Sequence, residues 1–196
     1  IIQFPSEDTP DLSKISPVIA ELNFYLAVLY RELSQFDKAF AKLDTASEQY
    51  ARLNNHVQNM LVLYETAIIY RNEGELEKSL QWINLAFNEF EQLKEKQDYH
   101  QAMLEHGKGL ILLDLQQYDE ALTLFQRVLI IWEKQKHNYH SALANNDIGA
   151  AIFRLERPTA ALEYLNKAKL LCEPIKDRAY VKELLKTIEE NIAEAK

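Results

Sequence analysis

Glycine, proline and cysteine are all scarce in this chain. Four glycines and five prolines in 196 residues are far below ordinary usage. Leu, Ala, Glu, Lys and Gln, all strong helix formers, outnumber the β-branched residues, so an almost wholly helical protein is expected. Cys172 is the single cysteine, which excludes an intrachain disulfide and fits a reducing compartment, the cytoplasm being the expected one. No block of Lys or Arg occurs and the formal charge is −8, so nucleic acid is not an expected partner: phosphate neutralisation needs clustered basic side chains. Apolar runs fall short of the roughly 18 residues that cross a bilayer, so no membrane insertion is expected. The opening IIQFPSEDTP lacks the basic and small-residue pattern of a signal peptide, and lacks a starting Met, which suggests a piece of a larger protein.

The chain has the 47% apolar and 27% charged residues of an ordinary globular protein, and is long enough to bury a sizeable core. Residues 1–17 hold Pro5, Pro10 and Pro17 and read as an extended lead-in, with Ser16–Pro17 as the N-cap and first turn of a helix. Beyond it, one pattern recurs. Gln35–Ala39, Glu75–Ser79, Gln117–Ala121 and Arg157–Ala161 align at intervals of 40, 42 and 40 residues. Nine residues before each final Ala or Ser stand Tyr30, Tyr70, Leu112 and Ile152, and three earlier the small residues Ala27, Ala67, Gly109 and Gly149. Four and seven residues after it come Leu43 and Ala46, Ile83 and Ala86, Phe125 and Val128, Leu165 and Ala168.

These columns describe a helix pair. Small residues on both helices face each other and set a close crossing, while the large apolar residues fill the groove and dock the next pair. The spacing predicts helices over 18–33 and 37–53, 57–73 and 77–95, 99–115 and 119–136, 139–155 and 159–173, and 177–195. Four repeats result, at about 20–59, 60–101, 102–141 and 142–176 within 18–176. Residues 177–196 form either a capping helix or a truncated fifth repeat, with Leu185, Ile188 and Ile192 at its buried columns.

The small residue, the aromatic and the Tyr–acid–x–Ala corner resemble the tetratricopeptide repeat, over residues 20 to about 173. The signature Trp is replaced by Asn23, Leu63, Glu105 and Asn145, and the turn glycine survives only as Gly74, with Ser34, Gln116 and Glu156 elsewhere. The 40-residue period resembles the long repeats of kinesin light chains, Leu-Gly-Asn adaptors and bacterial signalling proteins such as peptide-pheromone receptors. The resemblance implies an all-α, right-handed solenoid of four helix pairs plus a C-terminal helix, binding ligands on a concave face built from the first helices.

In that register Phe24, Tyr64, His106 and Asn146 share one column of the groove, and Arg31 and Arg71 another. Ile68, Met103, Leu110 and Phe153 complete the candidate peptide- or partner-binding set. An apolar strip flanked by Arg suits a peptide carrying a carboxylate. Equally, the aromatics can pack between helices and the two Arg can pair with Glu32 and Glu73. Asn146 matches the asparagine with which long-repeat relatives hold a peptide backbone; an inter-helix hydrogen bond is the alternative.

Chemistry finds little support. Gly107-Lys108-Gly109 lies inside a helix and not after a strand, so it is no phosphate loop. His56, His100, His106, His137 and His140 show no zinc spacing, and His137 and His140 read as the solvated start of a helix. Cys172 reads as a buried inert thiol, and Trp82 and Trp132 as residues packed between repeats. No cofactor and no catalysis are expected. The expected function is a non-catalytic protein- or peptide-binding module, the regulatory or sensor region of a larger, bacterial signalling protein. A homodimer with the groove self-occupied is the alternative.

Overall fold

A computed structural model describes the backbone from residue 12 and the side chains from residue 17 to Lys196. The expected lead-in over residues 1–17 therefore lies largely outside the described residues.

The described chain is an all-α solenoid of stacked helix hairpins. The first pair is α1 (Leu12–Glu32) and α2 (Phe36–Arg52), the second α3 (His56–Asn72) and α4 (Leu76–Glu91). The third is α5 (Asp98–Asp114) and α6 (Tyr118–Lys134), the fourth α7 (Asn138–Arg154) and α8 (Pro158–Cys172). A short 3-10 turn, Glu173–Ile175, leads to α9 (Ala179–Glu194).

Each aligned column is a packing position. Ala27, Ala67, Gly109 and Gly149 are buried on the first helices, and Ala39, Ser79, Ala121 and Ala161 on the second are fully buried. Their small size matters. A Cβ on Gly109 would lie 2.5 Å from Phe125 Cε1, and one on Gly149 2.7 Å from Leu165 Cγ and 3.3 Å from the Ala161 carbonyl oxygen. In the second pair, Ser79 Oγ donates to the Ala67 carbonyl at 2.7 Å, which satisfies its hydroxyl at the crossing.

One corner is used six times. Ser34, Asn54, Gly74, Gln116, Lys136 and Glu156 all have φ between 50° and 79°. After each comes a Schellman closure: Gln35 N–H donates to the Tyr30 carbonyl, Glu75 N–H to Tyr70, and Gln117 N–H to Leu112. The helix-plus-corner unit is thus 20 residues long, as the spacing of positions 34, 54 and 74 and of 116, 136 and 156 shows. The two extra residues of the 42-residue interval fall in the α4–α5 link, where α4 stops at Glu91 instead of the expected 95. Leu93 leaves the helix there and packs back on the core around Phe90.

Non-glycine residues at φ > 0 carry a left-handed penalty, partly offset because glycine costs more entropy on folding. Glycine at Ser34, Gln116, Lys136 or Glu156 is therefore expected to raise stability by about 0.5–1 kcal/mol each in urea melts. Gly74→Ala is expected to lose a similar amount, although nothing lies within 4 Å of the new Cβ.

Two expectations require correction at the ends. α1 runs through Pro17 from Leu12, so Ser16–Pro17 is not its N-cap and first turn. In α9 the buried residues are Val181, Leu184 and Ile188, while Leu185 and Ile192 are half-buried. The 3-10 turn at Pro174 replaces the left-handed corner and so changes the phase of α9. Cys172 is fully buried beside Val181 and Ile188, and burial with the neighbouring Glu173 raises its thiol pKa.

Candidate binding groove

Successive first helices touch directly: α1 meets α3, α3 meets α5, α5 meets α7 and α7 meets α9. Each second helix reaches the following unit through its first helix, α2 on α3, α4 on α5 and α6 on α7. The stack is therefore shorter along the first helices, and that side is the concave one.

A polar rung joins each neighbouring pair of first helices. Arg31 Nε donates to Glu65 Oε2 at 2.8 Å, and Arg71 Nε to Asp114 Oδ2 at 2.6 Å. His106 Nε2 lies 2.7 Å from Asp147 Oδ2, and Asn191 Nδ2 donates to Asn146 Oδ1 at 2.9 Å. Burial holds the Glu65 carboxyl above its ordinary value, although Arg31 pulls it down. Both arginines are thus engaged by acids of the next unit. Arg31 also pairs with Glu32 at 2.9 Å, whereas Arg71 takes Asp114 and not the expected Glu73. Asn146 is 5% exposed, and its side chain is committed to Asn191 and Asp147.

Phe24 is also buried, in the core between α1, α2 and α3. The column Phe24, Tyr64, His106, Asn146 is therefore the groove's structural floor along most of its length. At one place it opens. Tyr64, Met103 and His106 join Tyr99, Ala102, Trp132, His140 and Leu143 around a cavity of about 340 Å³. Ile68, Leu110 and Phe153 are half-buried on the same helices but do not line it.

Local sequence explains the opening. Gly107 follows His106, and a Cβ there would stand 2.7 Å from Tyr64 Cε2, so glycine lets the Tyr64 ring lie against α5. The longer α4–α5 link precedes Tyr99, whose ring meets the Trp132 indole edge-on at 5.6 Å. His140 stacks on the same indole, with centroids 4.5 Å apart, and meets the Tyr99 ring edge-on at 6.5 Å. His140 is not a solvated helix start: it is half-buried, with its Nδ1 2.8 Å from His137 Nδ1. Burial, then His137 and His106, lower its pKa to about 4, so its imidazole is neutral at pH 7. Burial and then Glu65 raise the Tyr64 phenol, which stays protonated. The cavity thus presents aromatic faces, a thioether and neutral donors, at the lower end of the roughly 300–1,000 Å³ range of ligand pockets.

Tyr99, Trp132 and His140 were not among the groove residues expected from the register. Trp132 is buried between repeats as expected, but its edge also reaches the cavity. Trp82 is half-buried and stacks on Tyr70 at 6.2 Å. A larger opening, of about 430 Å³, lies among exposed corner residues such as Ser34, Asp37 and Lys38 and has no apolar wall comparable to the first. Among the described residues, no group of three or more His, Cys, Asp or Glu is placed to hold a metal ion. No described helix is long and apolar enough to cross a membrane.

The profile of the tetratricopeptide repeat matches residues 100–173. A comparison with curated proteins finds no match. Among solved structures, the apo form of RapI superposes with a TM-score of 0.71 at 16% identity, over 89% of this chain and 63% of that one. Aspartyl phosphate phosphatase F from Bacillus subtilis gives 0.70 at 15% identity, over 85% of this chain and 43% of that one. A putative kinesin light chain from Podosopora anserina, with nearly identical repeats, gives 0.63 at 15% identity, over 90% and 96%. The chain thus spans less than two thirds of the first two of these proteins. At such identities the likeness is one of fold, and it places this chain among tetratricopeptide-like helical-repeat structures.

Proposed function

We propose that this chain is a non-catalytic module that binds a segment of a partner protein, or a free peptide, in the groove of its first helices. The observation that carries the reading is the cavity between α5 and α7. It is walled by Tyr64, Tyr99, Met103 and Trp132, and suits one bulky apolar side chain projecting from an extended or helical backbone. The rungs support it in a second way. They tie four successive pairs of first helices together, so the floor is preorganised and little ordering entropy is lost on binding.

The occupied arginines move the source of specificity. A ligand carboxylate would have to displace Glu65 or Asp114, so an apolar anchor, and not a carboxylate, dominates recognition. The charge of −8 disfavours nucleic acid as the ligand. The long repeat period, which resembles that of bacterial signalling proteins, supports a regulatory or sensor region of a larger protein, and the lone buried thiol is compatible with a cytoplasmic setting.

Selection from a displayed random 12-residue peptide library with the whole chain tests this reading. Enriched peptides are expected to share a Phe, Trp, Leu or Met anchor and to bind Met103→Glu at least tenfold more weakly, since that variant puts a charge on the apolar wall of the cavity. Peptides without a common apolar position, or binding unaffected by Met103→Glu in a folded protein, would contradict it.

A further inference from the structure

α1 carries an apolar face that the groove does not use. Val18, Leu22, Tyr25, Leu29 and Leu33 are between 56% and 64% exposed, and Ile19 is 40% exposed beside them. The spacing from Val18 to Leu29 is 4, 3 and 4 residues, that of a helix-pairing seam. Register shows what this face is built for. Leu22 occupies the column of Val62, Leu104 and Ala144, and Leu29 that of Ile69, Ile111 and Ala151. Those six residues are at most 3% exposed. They are covered by the preceding second helix: Leu43, Ala46 and Tyr50 of α2, Ile83, Ala86 and Phe90 of α4, and Phe125, Val128 and Trp132 of α6.

We propose that the α1 face is covered by the same face of a second copy of this chain, in an antiparallel two-fold contact. The seam is nearly symmetric about residues 25 and 26, so a two-fold axis there sets Leu22 against Leu29 of the other copy, Val18 against Leu33, and Tyr25 beside its own equivalent. Head-to-tail stacking is disfavoured by the other end of the solenoid. The outer face of α9 exposes Lys182, Glu183, Lys186, Glu189 and Glu190, which offer no apolar complement to α1. The apolar stripe amounts to about 500 Å² per copy, as large as the main patches of stable monomers, and to about 1,000 Å² on pairing. That is the lower end of specific interfaces, where weak and transient association is found.

Light scattering on the 196-residue chain from about 1 to 200 μM tests the proposal. A monomer–dimer transition is expected. Leu22→Glu with Leu29→Glu is expected to weaken it at least 100-fold with unchanged helical circular dichroism, since both positions already face water. Geometry has its own readout: Tyr25→Cys is expected to give a disulfide-linked dimer on mild oxidation, and Leu33→Cys is not. Cys172, being fully buried, does not compete. A monomer throughout the range, a dimer untouched by the double glutamate variant, or cross-linking at position 33 in place of 25 would each overturn the proposal. The groove is a separate surface, so Met103→Glu is expected to leave dimerisation intact.

Discussion

Gly149→Val is expected to destabilise the chain by about 2–3 kcal/mol in urea denaturation, and by less where Leu165 has first been replaced by Ala. A β-carbon at 149 meets Leu165 Cγ at 2.7 Å and Cδ2 at 2.8 Å, with the Ala161 carbonyl at 3.3 Å behind them. Leu165 and Ala161 are fully buried, so neither a swing of the side chain nor a shift of α8 is easily accommodated. Replacing glycine in a helix would otherwise gain up to about 1 kcal/mol, so a net loss isolates the cost of overpacking. Leu165→Ala alone opens a cavity and loses about 2–5 kcal/mol. Because the two changes share one space, the double variant is expected to be more stable than the summed singles by more than about 1 kcal/mol. Simple additivity would show that the close crossing of α7 and α8 is not what the small-residue column secures.

The second large effect concerns Glu105. It is 2% exposed in α5, with Oε1 accepting from Gln101 and from Arg127 of α6, and with Oε2 buried without a partner. Arg127→Ala is expected to lose about 2 kcal/mol, below the 3–5 kcal/mol typical of breaking a buried pair because the Arg127 side chain is 55% exposed. Glu105→Leu is expected to be neutral or stabilising, because it removes the buried charge and Arg127 is free to turn to water. The second unit supplies a precedent, with Leu63 in the same column. A large loss from Glu105→Leu, comparable to that from Arg127→Ala, would instead make the pair a net source of stability.

Much of this architecture is legible from residue spacing, because a helix hairpin must bury the same columns wherever it recurs. Ala39, Ser79, Ala121 and Ala161 are all fully buried, as the alignment predicts. The helix limits fall within four residues of expectation except at the start of α1. What escaped depends on contacts between units. The partners of Arg31 and Arg71 lie 34 and 43 residues away, on the next first helix, where no local i, i+4 rule points. Phe24 and Asn146 share the groove column with Tyr64, but the depth of each is set by its neighbours and not by its register. The cavity arises where Gly107 yields to the Tyr64 ring and the longer link precedes Tyr99, and only the glycine and the 42-residue interval hinted at it.

The two methionines allow a direct test of the groove. Met103 lines the cavity, whereas Met60 is fully buried in the core around Ile83 and Phe90. With methyl-¹³C methionine, the protein gives two signals that report these two places separately. Titration with a peptide selected on the whole chain is predicted to shift the Met103 methyl in proportion to saturation and to leave the Met60 methyl in place. Saturable binding with the Met103 signal unmoved would contradict the assignment of the cavity between α5 and α7 as the ligand anchor.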